Sequence, residues 1–117
     1  TLTINDGQTL TASGASDING TLSIAGTGEY DANGAFDATG GSITFTGAGT
    51  LRIAGSVTSL GTLGTSAGTV EYDGADQTIF SDTYYNLLLS GSGTPAAGGD
   101  ITCNGTFTLQ SSTTKYN

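Results

Sequence analysis

Two copies of one short pattern decide the fold class: Thr21-Leu22-Ser23-Ile24-Ala25-Gly26 and Thr50-Leu51-Arg52-Ile53-Ala54-Gly55. In each copy polar and apolar residues alternate over four positions, and the segment closes on a glycine. Alternation with a period of two places Leu and Ile on one side of an extended strand and Thr, Ser or Arg on the other. Each copy therefore predicts a short, half-buried β-strand that ends in a turn.

The same alternation recurs along the chain at residues 1–4, 42–45, 69–72 and 106–109. Longer echoes accompany it: Glu-Tyr-Asp occurs at 29–31 and again at 71–73, and residues 17–24 resemble residues 100–109. Internal repetition of this kind indicates a stacked architecture in which each unit buries its apolar side against the next. The spacings are irregular, so we expect a loose stack rather than a strict short repeat.

The predicted fold class is all-β, an elongated parallel β-solenoid of short Thr/Leu/Ile strands with Gly, Asn and Asp turns, and residues 1–117 form one segment of it. An antiparallel β-sandwich is the alternative, because Asn-Gly and Asp-Gly can close tight hairpins. The solenoid is favoured because side chains of similar size would stack from strand to strand, and because the chain has no Trp. The predicted core comprises Leu2, Ile4, Ile18, Leu22, Ile24, Phe36, Ile43, Phe45, Leu51, Ile53, Val70, Tyr72, Ile79, Leu87, Leu89, Ile101, Phe107 and Leu109.

Charge and composition exclude several classes of function. The net charge is −8, the only basic residues are Arg52 and Lys115, and there is no His, which excludes binding of nucleic acid or an anionic membrane through a basic patch. The longest apolar run, Leu87-Leu88-Leu89, is far too short to cross a bilayer. The chain begins without Met and without an apolar leader, so we expect a processed subunit or a piece of a longer protein.

Carboxylates are the only abundant ionisable groups. Glu29 with Asp31 and Glu71 with Asp73 each flank a Tyr, so both acids of a pair should point to the same solvent face of a strand. Paired carboxylates can hydrolyse glycosides. We nevertheless predict that the protein is not an enzyme and has no catalytic or cofactor-binding residues, because the chain lacks His and has only two basic residues.

Eight aspartates lie at or near predicted turns, where oxygen ligands could hold Ca²⁺. No Asp-x-Asp-x-Asp-Gly loop and no Gly-Gly-x-Gly-x-Asp tandem is present. Asp is also a favourable turn residue in its own right, so a structural role is preferred and neither a metal nor a cofactor is predicted. The eight residues are Asp6, Asp17, Asp31, Asp37, Asp73, Asp76, Asp82 and Asp100.

Three further features are candidates for binding sites. Hydroxyl pairs at 1/3, 9/11, 21/23, 44/46 and 106/108 could form a flat array that matches ice, although such pairs also suit any polar β-ladder. Tyr84-Tyr85 could stack on a sugar, although packing into the core and its rim is the ordinary role of such a pair. Cys103 is the only cysteine, so no intrachain disulfide can form, and we expect an inert buried thiol.

The last 50 residues or so resemble a unit found in large secreted, repetitive, adhesin-like β-helical proteins of bacterial surfaces. The resemblance is carried by GTVEYDGADQTI at 68–79, YYNLLLSGSG at 84–93 and DITCNGTFTL at 100–109. Cys103 stands where that unit usually has Val, and Pro95-Ala96-Ala97 replaces a longer strand. The unit has no catalytic residues to carry over.

The resemblance and composition together predict a secreted, non-catalytic structural or adhesive protein, a subunit or segment of a bacterial surface adhesin or filament. A carbohydrate-binding or ice-binding β-module is the alternative. The expected partners are copies of the chain or neighbouring repeats packed end to end, with a glycan or surface ligand as a further partner. Neither nucleic acid nor membrane insertion is expected.

Overall fold

A computed structural model describes residues 1–110 of the chain. This part is all-β and has no helix, and therefore no helix able to cross a membrane. Its seventeen strands are β1 (Leu2–Ile4), β2 (Thr9–Ala12), β3 (Ser16–Asp17), β4 (Thr21–Ile24), β5 (Glu29–Ala32), β6 (Phe36–Asp37), β7 (Ser42–Phe45), β8 (Thr50–Ile53), β9 (Val57–Ser59), β10 (Thr62–Leu63), β11 (Thr69–Tyr72), β12 (Thr78–Ile79), β13 (Thr83–Tyr84), β14 (Asn86–Leu89), β15 (Ala96–Ala97), β16 (Thr102–Cys103) and β17 (Phe107–Leu109).

The strands form a β-solenoid of about five turns, 44 × 27 × 26 Å in extent. Sheet A has the order β1-β4-β7-β10, sheet B the order β17-β14-β11-β8-β5-β2, and sheet C the order β3-β6-β9. Every strand pair in residues 1–110 is parallel. The predicted elongated solenoid is confirmed, and the antiparallel sandwich is excluded.

The length of one coil changes along the stack. Leu2 pairs with Leu22, and Thr21 with Ser42, so the first coils take 20 or 21 residues each. Thr69 pairs with Asn86, a coil of only 17 residues. Only sheet B continues through this change of cross-section. Sheets A and C end at β10 and β9, and two-stranded sheets, β13-β16 and β12-β15, follow.

A buried side chain bridges the junction where sheet C ends. Gln77 is 8% exposed, and its Nε2 donates to the carbonyl oxygens of Ile53 and Gly55, each at 3.0 Å. Its Oε1 accepts the N–H of Gly74 at 2.5 Å. An open cleft of about 440 Å³ lies beside it. A glutamine amide therefore supplies hydrogen bonds at a point where the backbone ladder is interrupted.

Coils approach one another closely at the corner between sheets B and C, where Gly14, Gly34 and Gly55 stack. A Cβ added to Gly34 would lie 2.5 Å from the carbonyl oxygen of Gly14, and one added to Gly55 would clash in the same way with Gly34. Real Cβ atoms do not approach a carbonyl oxygen this closely. The corner therefore requires residues without a side chain in the inner coils.

One apolar core runs along the stack, and most of its predicted members are buried. Ile18, Phe45, Leu89 and Ile101 are only partly buried. The prediction is wrong for Leu2, Phe107 and Leu109, which are 49%, 54% and 63% exposed because each lies in a terminal coil of the described stack, with a coil on one side only. Buried residues absent from the predicted core are Tyr30, Ala32, Ala38, Leu60, Leu63 and Tyr84.

Candidate functional surfaces

The outer face of sheet B carries a charged cluster centred on Arg52. The register places Asp31 opposite Arg52 and Arg52 opposite Glu71. Arg52 Nη2 lies 3.0 Å from Glu29 Oε2, and its Nε lies 3.2 Å from Glu71 Oε1 and 3.8 Å from Asp73 Oδ2. One guanidinium thus holds carboxylates from the coil before it and the coil after it.

The cluster has more carboxylates than cations, and its electrostatics reflect this. Burial lowers the pKa of Arg52, but the attraction of Glu71 and Glu29 outweighs that effect and the pKa is raised. Burial raises the pKa of Asp73, against the opposing effect of Arg52. Oδ1 of Asp31 and Oδ1 of Asp73 are buried and accept no hydrogen bond within the described residues. The outer face of sheet B therefore has a surplus of negative charge.

Both predicted acid pairs lie on one surface, and Arg52 connects them through ion pairs. The prediction that Glu29/Asp31 and Glu71/Asp73 share the outer face of their strands is confirmed. The sequence alone does not reveal Arg52 as their partner, since only the coil offset aligns it with both pairs. Within residues 1–110, no group of three or more His, Cys, Asp or Glu side chains is placed to hold a metal ion. The ion pairs of Arg52 therefore link three successive coils.

Several of the turn aspartates fix the backbone, as predicted. Oδ1 of Asp6 accepts the N–H of Thr27 at 2.8 Å and its hydroxyl at 2.9 Å, so a bond from one coil caps the turn of the next. Asp76 accepts the N–H of Thr94 in the same manner at 2.8 Å. The hydrogen bonds from Thr27 lower the pKa of the Asp6 carboxyl. These carboxylates act as caps between coils.

The outer face of sheet A is a hydroxyl surface without charge. In register, Thr21 lies opposite Ser42 and Ser42 opposite Thr62, while a second column runs from Thr3 through Ser23 to Thr44. Ser42 Oγ donates to Thr21 Oγ1 at 3.1 Å. Of the predicted pairs 1/3, 21/23 and 44/46, the residues Thr3, Thr21, Ser23 and Thr44 share this face. The pair 9/11 lies on β2 and Thr108 of the pair 106/108 lies on β17, at opposite edges of sheet B.

Tyr84 and Cys103, two of the candidate binding residues, pack against the protein interior. Tyr84 is completely buried and Tyr85 is partly buried, which confirms the expected packing of this pair into the core and its rim and excludes a sugar-stacking platform formed by both rings. Cys103 is only partly buried, and its Sγ lies 3.2 Å from the carbonyl oxygen of Tyr85.

Apolar side chains are exposed at both ends of sheet B. In its inward column, Tyr30, Leu51, Val70 and Leu87 are at most 5% exposed because a coil lies on either side. The outermost members, Leu10 on β2 and Phe107 on β17, are 40% and 54% exposed. An apolar cavity of about 300 Å³, lined in part by Ile101, Cys103 and Phe107, opens beside β17.

Comparison of the chain with protein-family models, with curated proteins and with solved structures finds no match.

Proposed function

We propose that this protein is a non-catalytic structural or adhesive component of an extracellular filament or bacterial surface adhesin, and that it works by stacking end to end. The observation that carries the proposal is the exposure of Leu10 and Phe107 at the two edges of sheet B. Everywhere between them the equivalent position is covered by another coil. The natural cover for each exposed position is therefore one more coil of the same kind.

The chemistry of the surfaces supports a structural role. In the charged cluster of sheet B, Arg52 forms ion pairs between coils, and Asp6 and Asp76 cap the backbone. An acidic surface with few cations keeps a secreted polymer soluble. Arg52, Glu29, Glu71, Asp6 and Asp76 are thus engaged in holding coils together.

The test is assembly as a function of protein concentration, followed by sedimentation velocity and electron microscopy of the full chain. Phe107→Lys places a charge at the exposed edge position and should prevent end-to-end growth. Leu88→Lys is the matched control, because Leu88 lies on the outward face of the neighbouring strand β14. The proposal fails if the unmodified protein stays a folded monomer at all concentrations, or if both variants assemble equally.

A second candidate function, binding to ice, is favoured by the aligned hydroxyl columns of sheet A. Neighbouring strands repeat every ~4.8 Å and alternate residues every ~6.6 Å, so the columns form a regular, uncharged array of hydroxyl groups. Thermal hysteresis of the full chain tests this function. It should be lost in Ser23→Lys and retained in Leu88→Lys, which alters the outward face of sheet B on its inner strand β14. Glycan-array binding without hysteresis would instead support the carbohydrate-binding alternative.

A further inference from the structure

We infer that sheet B is the surface of polymerisation: β17 of one copy pairs in parallel with β2 of a second copy, with Thr108 opposite Thr11 and Phe107 packed on Leu10. This inference rests on the proposed end-to-end stacking and names the surface and register by which it occurs. Its partner is a second copy of this chain.

Continuity singles out sheet B among the three sheets. It alone runs through all the coils, whereas sheets A and C stop at the junction where the coil shortens. The cross-sections at the two ends therefore differ outside sheet B. The outermost strands of sheet B are β2 and β17, and each has one edge that pairs with no strand in residues 1–110. Such edges accept a further strand through their backbone N–H and C=O groups.

The inward columns of sheet B set the register. One column runs Leu10, Tyr30, Leu51, Val70, Leu87, Phe107, and the next runs Ala12, Ala32, Ile53, Tyr72, Leu89, Leu109. Joining β17 to β2 without a shift continues both columns, with Phe107 on Leu10 and Leu109 on Ala12. A shift by one residue would turn these apolar side chains to solvent.

The outward positions favour the same contact. The charges of sheet B lie on its inner strands, on Glu29, Asp31, Arg52 and Glu71, whereas β2 and β17 contain no charged residue. At the proposed joint Thr108 meets Thr11, a cross-strand pair of the kind that stabilises sheets. In a chain of net charge −8, two neutral end strands can meet without placing like charges opposite each other.

Disulfide trapping in the full chain tests this register. With Cys103→Ala as background, Thr11→Cys and Thr108→Cys are combined, so that each copy has one thiol at each edge of sheet B. Directly opposed residues in neighbouring strands lie ~4.8 Å apart, within the Cα separation that a disulfide spans. Mild oxidation should give a ladder of cross-linked multimers on a non-reducing gel, and either single variant should give at most dimers.

The matched control combines Thr108→Cys with Thr9→Cys, which lies two residues from the proposed partner. The corresponding Cα separation is about 8 Å, beyond the reach of a disulfide. A control that cross-links as well as the test pair overturns the register. If sedimentation shows assembly but the test pair does not cross-link, the register is wrong while end-to-end stacking stands. If neither protein assembles, both proposals fall.

Discussion

The hydroxyl oxygens of Tyr72 and Tyr84 lie 2.9 Å apart in the core, where both side chains are almost completely buried. Tyr84 donates to the carbonyl oxygen of Phe80 at 2.6 Å, and the N–H of Phe80 lies 3.4 Å from the Tyr72 hydroxyl oxygen. A hydroxyl has a single proton. Since Tyr84 donates to Phe80, Tyr72 must donate to Tyr84. The two tyrosines thus form a hydrogen-bond network that provides partners for both the N–H and the carbonyl group of Phe80.

Removal of the Tyr84 hydroxyl should destabilise the protein. In Tyr84→Phe, the Phe80 carbonyl loses its partner and the Tyr72 proton has no acceptor, and leaving buried polar groups unpaired costs about 1–3 kcal/mol. Urea denaturation followed by circular dichroism measures the change. Tyr85→Phe is the control, because Tyr85 is only partly buried. Equal stability of the two variants would contradict a structural role for this hydrogen-bond network.

The same pair should make the fold sensitive to alkali. Burial raises the pKa of Tyr72 from 10 to about 12, against the smaller opposing effect of its hydrogen bond with Tyr84. Burial also raises the pKa of Tyr84. Between pH 10 and pH 12 the unfolded chain therefore loses protons that the folded chain keeps, so stability falls as the pH rises, by about 2–3 kcal/mol for Tyr72. Thermal unfolding across this range measures the fall, which should be smaller in the Tyr72→Phe/Tyr84→Phe variant. A slope that the double substitution leaves unchanged would contradict this assignment.

Individual strands could be predicted from the sequence because alternation is a local property. The length of each coil could not be predicted, because it depends on which strands pair with one another. The two copies of the Thr-Leu-x-Ile-Ala-Gly pattern look equivalent, yet β4 lies in sheet A and β8 in sheet B. Similarity between segments reflects the shared demands of a half-buried strand. Stacking in sheets A and B instead follows offsets that vary from 17 to 21 residues, and no repeated sequence motif marks them.

For the candidate surfaces, too, the sequence predicts only what depends on local alternation. The sequence indicated that Glu29/Asp31 and Glu71/Asp73 point outward, since period-two alternation suffices for that conclusion. That Arg52 lies between the pairs depends on coil lengths on either side of β8. Likewise, the exposure of Leu2 and Phe107 depends on their place at the ends of the described stack, not on their local pattern.

The glycine corner gives a steric prediction. Gly34→Ala should destabilise the fold by roughly 1–3 kcal/mol, because the new methyl group would overlap the carbonyl oxygen of Gly14. Gly14→Ala is the matched control, since a Cβ there has no atom within 4 Å. Thermal melts of the two variants make the comparison. Equal melting temperatures would show that the coils are less closely spaced at this corner than the structure indicates.

Replacement of Arg52 by a neutral residue should lower the free energy of unfolding most at neutral pH. In Arg52→Gln, the carboxylates of Glu29, Glu71 and Asp73 face one another without compensation, at a cost of about 1–2 kcal/mol for this partly exposed site. Arg52 opposes the rise that burial gives the pKa of Asp73, so its removal raises that pKa further. The folded variant then takes up this proton before the unfolded chain does, and its deficit shrinks as the pH falls toward 4. Arg52→Lys should retain most of the stability. A deficit that is constant with pH in urea titrations would contradict an electrostatic origin.

End-to-end assembly should strengthen as salt is added. Each copy has a net charge of −8, so stacking brings like charges together, while the proposed joint itself is apolar and hydroxylic. Raising the ionic strength from 0.01 M to 1 M shortens the screening length from about 30 Å to about 3 Å, which removes most of the repulsion without weakening the apolar contact. The weight-average mass in sedimentation equilibrium should therefore increase with NaCl. Asp17→Asn/Asp100→Asn, which neutralises an exposed acid near each end, should reach the same mass at lower salt. Association that weakened with added salt would instead indicate a joint held by ion pairs, and would contradict a contact made by Leu10, Phe107 and the neutral strands around them.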